Sequence, residues 1–127
     1  MTLQITSILT GLFSLMMVAL SLQVSLRRRQ LNVSAGDAND IVLRRRIRAH
    51  GNFIEYAPLM VLAVAIIEYN AGPRWLLAGL ALAFLLSRVL HAIGMLTMEK
   101  PTLRAMGIVL QHAAFVVAGM WLLLSVL

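Results

Sequence analysis

Charged and polar side chains interrupt the apolar sequence at residues 48–58, and their spacing places three of them on one side of a helix. Arg48, Asn52 and Glu55 stand at positions i, i+4 and i+7, so an α-helix brings them into a narrow stripe with Tyr56 beside it. Guanidinium, carboxamide and carboxylate groups together can bind a small molecule that carries both acidic and basic groups. A helix that enters a membrane rarely carries such a stripe unless the protein uses it.

Two later segments carry further basic and polar groups at helical spacing. Arg88, His91 and Met95 would share one face of a helix, near its end. Arg104 follows three residues after a proline, and Gln111 lies two helical turns further along the same face. Each arginine lies near the expected lipid headgroups, so an alternative for any single one is that its side chain extends to the membrane surface.

These groups suit a ligand with more acidic groups than amines, and glutathione has that composition. Its two carboxylates would pair with arginines, its α-amino group with Glu55 and its peptide groups with Asn52. The chain has no cysteine, so any sulfur chemistry must use a thiol of the ligand. A guanidinium beside that thiol would favour the reactive thiolate. The alternative for Glu55 is an internal ion pair with Arg48 or a neighbouring arginine.

The composition indicates a membrane protein. Hydrophobic residues make up 61% of the chain and charged residues only 13%, and the mean hydropathy of +0.88 is far from that of soluble domains. Four segments reach the roughly 20 residues that are needed to cross the hydrocarbon layer. We expect an all-α integral membrane protein, a single domain over residues 1–127, whose four-transmembrane-helix bundle spans about residues 3–26, 43–69, 74–96 and 103–126.

Basic residues are distributed unevenly between the predicted connections. Seven arginines lie in or beside the first connection, Lys100 and Arg104 lie in the third, and the second offers only Arg74. By the positive-inside rule, both termini should face away from the cytoplasm. The first helix lacks a basic leading region and a cleavage site, so we expect it to be retained. Because the arginines flank spanning helices, we attribute Arg27, Arg29, Arg44 and Arg46 to topology and lipid headgroups, and we expect no nucleic-acid partner.

Local signals predict where helices start and where they approach each other. Asp40 follows a turn-rich segment and could cap the second helix, and Pro101 is placed to start the fourth. Small residues recur four apart, the spacing that lets helices pack closely. They are Ser7 and Gly11 in the first helix, and Gly79, Ala83 and Ser87 in the third.

Two segments resemble a known family. The first reads Arg48-Ala-His-Gly-Asn-Phe-Ile-Glu-Tyr-Ala-Pro58 and resembles the signature Arg-Ala-x-x-Asn-x-x-Glu-x-x-Pro of the MAPEG family, the membrane-associated proteins in eicosanoid and glutathione metabolism. The second reads Arg88-Val-Leu-His-Ala-Ile-Gly-Met-Leu-Thr97, with Pro101 and Arg104 after it. It is similar to the stretch that joins helices three and four in microsomal glutathione transferases. The resemblance covers nearly the whole chain, and the short first loop is more like that of bacterial members.

The resemblance implies a homotrimer in a bacterial inner membrane, with glutathione bound between adjacent subunits near the cytoplasmic surface. It implies that Arg104 stabilises the glutathione thiolate. His50 points about 200° around the helix from Arg48, and the resemblance implies that it meets the ligand held by the neighbouring subunit. The residues that we expect to bind glutathione are Arg28, Arg48, His50, Asn52, Glu55, Tyr56, Arg88 and His91.

The expected activity is that of a glutathione transferase or a glutathione-dependent peroxidase. Glutathione would be the co-substrate, without a metal, and the second substrate would be a hydrophobic electrophile or lipid hydroperoxide that arrives from the bilayer. Tyrosines that contact glutathione in some members are replaced here by His91 and Met95, and Met95 cannot donate a hydrogen bond. We therefore expect weaker thiol activation.

Two alternatives to the enzyme stay open at this stage. One is a non-catalytic lipid-binding or scaffolding relative within the same family, although such a protein would not need the set formed by Arg48, Asn52, Glu55 and Arg104. The other is an electron-transfer bundle that carries haem on histidine. A lone membrane histidine is more often a hydrogen-bonded packing residue, so the haem alternative is the weaker one for His50, His91 and His112.

Overall fold

The computed structural model describes residues 2–97 and 100–127 and contains four long α-helices. Each helix is long and apolar enough to cross a membrane. The predicted all-α integral membrane fold with four spanning helices is therefore confirmed. In chain order the helices are α1 (Gln4–Leu31), α2 (Ile41–Tyr69), α3 (Arg74–Leu96) and α4 (Pro101–Leu124).

The first helix ends later than predicted. It continues to Leu31, so the arginines at 27–29 lie on its last turns and not in the connection to α2. Arginine has a high helix propensity, and positive side chains are favoured near the C-terminal end of the helix dipole. The helix stops at Asn32, whose backbone is left-handed with φ of 54° and whose N–H donates to carbonyl groups of the last turn.

Asp40 caps α2, as predicted, and also ties α2 to the end of α1. Its Oδ1 accepts a hydrogen bond from the backbone N–H of Leu43 at 2.6 Å, and Nη2 of Arg27 donates to its Oδ2 at 2.8 Å. These hydrogen bonds, that of Arg27 first, lower the pKa of Asp40 to about 2. The prediction that Pro101 starts α4 is also confirmed.

Consecutive helices pack as antiparallel neighbours because the connections between them are short. The most extensive contact joins α3 and α4. Within the described part of the chain α1 does not contact α4. Helices α2 and α3 therefore form the middle of the bundle, and large apolar side chains on the outer faces remain exposed where lipid would surround them.

Each helix contributes one phenylalanine to a chain of aromatic contacts through the core. The ring of Phe13 lies 5.4 Å from that of Phe53 and 5.7 Å from that of Phe84, and Phe84 lies 5.4 Å from Phe115. The first and last of these pairs are edge-to-face, the arrangement that the aromatic quadrupole favours. These contacts link all four helices, and they reach α2 at Phe53, next to Asn52 of the polar stripe.

The small residues that recur four apart do not all lie where two helices approach closely: Ser87 does, but Gly11 and Gly79 do not. A Cβ on Gly11 or Gly79 would meet nothing within 4 Å, so these glycines allow no close approach within the chain. At Gly107, by contrast, a Cβ would lie 2.7 Å from the backbone N of His91 and from the carbonyl O of Ser87. Spacing identifies small residues, but it does not show which face another helix covers.

A half-buried carboxylate joins two helices at the opposite end of the bundle. Glu68, near the end of α2, accepts hydrogen bonds from the backbone N–H groups of Ile5 and Thr6 at 2.9 and 2.8 Å, and from the Thr6 hydroxyl at 2.7 Å. The first N–H groups of a helix have no partner within that helix and attract negative charge. Glu68 is therefore explained as a cap on α1.

Candidate functional site

Three helices enclose a cavity of about 460 Å³ at the end of the bundle where α2 and α4 begin and α3 ends. The polar stripe of α2 forms one wall, and α3 and α4 form the others. The structure thus brings together five of the nine residues that the sequence suggested for the site. They are Arg48, Asn52, Glu55, His91 and Arg104.

Apolar and small residues complete the lining, and the sequence reasoning did not single out three of them. Ile47, Gly51 and Ile108 lie in the cavity wall. Each stands three or four residues from a predicted site residue, so helical periodicity was a signal that could have found them. Their side chains carry no functional group, so residue type alone gave no sign of a role in the site.

The charges in the cavity suit a zwitterion. Two guanidinium groups, of Arg48 and Arg104, face one carboxylate, that of Glu55. The ion pairs found among residues 2–97 and 100–127 join Arg27 to Asp40 and Arg44 to Asp37, so no described arginine neutralises the Glu55 carboxylate. The alternative of an internal ion pair between Glu55 and Arg48 does not describe this structure.

Arg104 lies beside sulfur at the mouth of the cavity. Its Nη1 is 3.9 Å from Sδ of Met95, and its side chain is exposed. His91, one turn earlier on α3 than Met95, is 5% exposed and lines the cavity from beneath. The Arg104 guanidinium and the His91 ring therefore lie on the same side of the cavity, opposite the polar stripe of α2. The first carries a positive charge, and the second can donate or accept a hydrogen bond.

Arg88 is buried behind the cavity wall. It is 1% exposed, and its Nη1 donates a hydrogen bond to Oδ1 of Asn52 at 2.5 Å while Nε donates to Oγ of Ser87 at 3.2 Å. Its guanidinium carbon lies 5.8 Å from the ring centre of Tyr56 and 5.2 Å from that of Phe84. The structure thus places Arg88 against a cavity residue, not in the lining.

Three other predicted residues lie outside the cavity lining. The Tyr56 ring is half-buried and packs 6.2 Å from that of Phe115. His50 is half-buried on a different side of α2 from Arg48, as the helical geometry requires. Arg28 lies at the end of α1, where its Nη2 donates to the carbonyl O of Gly36 at 3.4 Å.

Within the ranges 2–97 and 100–127, no group of three or more His, Asp or Glu side chains gathers as metal ligands would. His112 is exposed on α4, with Nδ1 2.7 Å from the carbonyl O of Ile108. What the cavity does offer is a set of charged and hydrogen-bonding groups for an organic ligand.

Comparison with known proteins identifies the family. The model of the MAPEG family matches residues 6–124. The chain is similar to the inner membrane protein YecN of Escherichia coli strain K12 and to the protein of the same name in strain O6:H1. It is 28% identical to each over 90 residues, which is 71% of this chain and 69% of the relative. No solved structure matches the chain. The family model covers almost all of the four-helix bundle, including every residue of the cavity, and the chain therefore belongs to the MAPEG family.

Proposed function

We propose that the cavity binds glutathione and that the protein is a glutathione transferase or a glutathione-dependent peroxidase of the inner membrane. The observation that carries this proposal is the meeting of Arg48, Asn52, Glu55, His91 and Arg104 from three helices in one cavity. Membership of a family of membrane-associated proteins in eicosanoid and glutathione metabolism supports the choice of ligand. The similarity to an inner membrane protein supports the location.

Charged and polar groups of the cavity match groups of glutathione. Arg48 supplies a guanidinium for a carboxylate, and Glu55 supplies a carboxylate for the α-amino group. Asn52 reaches the peptide groups between them. Arg104 lies across the cavity, where its charge stabilises the sulfur as thiolate.

The thiolate would react with an electrophile that enters from the lipid. In transfer to an aryl halide, the sulfur forms a bond to carbon and halide leaves. With a hydroperoxide, the sulfur attacks oxygen and releases the alcohol, and a second glutathione then converts the sulfenic acid to the disulfide and water. Arg104 acts in either case by raising the fraction of thiolate, which is the nucleophile.

The proposal includes a homotrimer in which a neighbouring subunit completes each site. Large apolar side chains cover the outer faces of all four helices, so a face remains available for a second copy. His50 lies on a different side of α2 from Arg48 and can reach the ligand of the adjacent subunit from there. Arg28 and Tyr56 retain their proposed binding roles in that assembly.

Calorimetric titration of glutathione into the detergent-solubilised protein tests the proposal. We expect saturable binding in the micromolar to millimolar range that an Arg48→Ala variant weakens. Arg74→Ala is the matched control because Arg74 is exposed at the opposite end of the bundle, where it donates to Gln4. Absence of heat at millimolar glutathione would contradict the proposal.

A lipid-binding relative without catalysis is the second candidate. An apolar groove of about 260 Å³ between α1 and α2 favours it, with Phe13, Phe53 and Pro58 in its wall. Its size and apolar lining suit an acyl chain. Retention of a photoreactive fatty acid in this groove, together with no glutathione binding, would favour this candidate over the enzyme.

A further inference from the structure

Arg88 is a charged side chain buried in the centre of the bundle. It is 1% exposed, and among residues 2–97 and 100–127 no carboxylate pairs with it. Its Nη2 is buried without a hydrogen-bond partner in that part of the chain. Burying a guanidinium costs free energy unless the group is paired or hydrogen-bonded. Packing alone therefore does not explain an arginine at position 88.

The contact between Arg88 and Asn52 decides which way the Asn52 carboxamide points. A guanidinium carries only donors, so the atom of Asn52 that meets Nη1 must be the carbonyl oxygen Oδ1. Since Asn52 also lines the cavity, its Nδ2 is the end that remains for a ligand.

We propose that Arg88 is a positioning residue that fixes the Asn52 carboxamide so that the cavity presents N–H donors and not a carbonyl acceptor. A ligand acceptor, such as a peptide carbonyl or a carboxylate, then finds its partner already oriented, without an entropic cost for ordering it. The identity of the ligand as glutathione rests on the proposed function. The role of Arg88 toward Asn52 is independent of the proposed function.

Two aromatic rings and a hydroxyl surround the guanidinium and restrict its movement. Tyr56 and Phe84 lie 5.8 and 5.2 Å from its central carbon, and Ser87 accepts from Nε. A lysine at this position could keep a charge and a donor, but it could not present the same flat group to both rings. Arg88→Lys is therefore expected to restore only part of the effect.

A double-mutant cycle on glutathione affinity tests whether Arg88 acts through Asn52. We expect Arg88→Met and Asn52→Ala each to weaken binding about tenfold, the loss of one hydrogen bond. The double variant should be no weaker than Asn52→Ala alone, because the effect of Arg88 passes through the removed amide. Losses that multiply in the double variant, or an unchanged affinity of Arg88→Met, would overturn the inference.

A second measurement needs no ligand. The chain has four asparagines, and ¹⁵N labelling of their side chains gives four NH₂ pairs, of which the Asn52 pair is identified by its loss in Asn52→Ala. We expect Arg88→Met to shift the Asn52 pair and to leave Asn70, at the far end of α2, in place. An unmoved Asn52 pair would overturn the inference. If the wild-type protein binds no glutathione, the proposed function fails, and this spectrum still decides the role of Arg88.

Discussion

Gly94 in α3 packs directly against the backbone of Arg104 in the first turn of α4. A Cβ at Gly94 would lie 2.8 Å from Cα of Arg104 and 2.9 Å from its Cβ, closer than packed carbon atoms approach. The missing side chain therefore lets α4 begin against the end of α3. It also sets how far Arg104 stands from His91 and Met95 in the cavity wall.

Replacement of Gly94 should disturb the site as well as the packing. We expect Gly94→Ala to push the start of α4 outward, to destabilise the bundle by about 1–3 kcal/mol and to reduce turnover through displacement of Arg104. The control is Gly79→Ala, in the same helix, where a Cβ meets nothing within 4 Å. Thermal unfolding in detergent and glutathione conjugation measure both effects. If Gly94→Ala and Gly79→Ala have the same thermal stability and the same turnover, Gly94 does not position Arg104.

Arg104 should affect reactivity more than binding. The positive charge of its guanidinium lowers the pKa of a nearby thiol, whereas the carboxylate and amine contacts come mainly from α2. Arg104→Ala is expected to keep glutathione affinity within about tenfold, to diminish the ultraviolet absorbance of the thiolate and to lower turnover of 1-chloro-2,4-dinitrobenzene by roughly 10- to 1000-fold. Normal turnover in this variant would make Arg104 a headgroup contact and His91 the next residue to test.

The charges on α2 should dominate affinity. If Arg48 and Glu55 bind opposite charges of glutathione, Arg48→Ala and Glu55→Gln each leave a ligand charge without its partner and should weaken binding by about 2–5 kcal/mol. Calorimetry measures the loss, and size-exclusion chromatography shows whether the assembly is kept. If both variants lose their assembly, and the fraction that stays assembled binds glutathione with unchanged affinity, then Arg48 and Glu55 have a structural role.

The hydrogen bonds that Asp40 makes at the start of α2 should weaken in acid. The pKa of Asp40 is about 2 in the folded protein and 3.8 ordinarily. The ionised carboxylate therefore stabilises the start of α2 above about pH 4, and this stabilisation disappears as the pH falls toward 2. Carbon-13 NMR of labelled aspartate should give a midpoint near 2 for Asp40, with Asp40→Asn identifying the signal. A midpoint near 3.8 would mean that the contact with Arg27 does not persist in solution.

The orientation can be tested with single cysteines because the native chain has none. The arginines around the first connection should hold it in the cytoplasm and leave the C-terminus outside. We expect a membrane-impermeant maleimide to label Leu127→Cys in intact cells and Ser34→Cys only after permeabilisation. Both positions are exposed in the fold. The reverse pattern would place the cavity at the external surface.

The sequence determined the membrane fold, because four apolar segments of spanning length leave few alternatives in 127 residues. It also predicted the stripe formed by Arg48, Asn52 and Glu55, since one helix with 3.6 residues per turn fixes that geometry by itself. The cap at Asp40 and the start of α4 at Pro101 were predictable for a similar reason, because both signals depend only on neighbouring residues of the chain.

The tertiary structure decided what lies across from that stripe. Arg88 and His91 stand three apart on α3, yet one is buried against Asn52 while the other lines the cavity. Helical spacing alone grouped them together, because three residues turn the side chain only about 60° from the starting direction. Their roles differ because Arg88 meets Asn52 and Tyr56 of α2, whereas His91 lies in the cavity wall where α4 packs against α3. Such contacts join residues distant in sequence and depend on how whole helix faces fit together, which no local pattern contains.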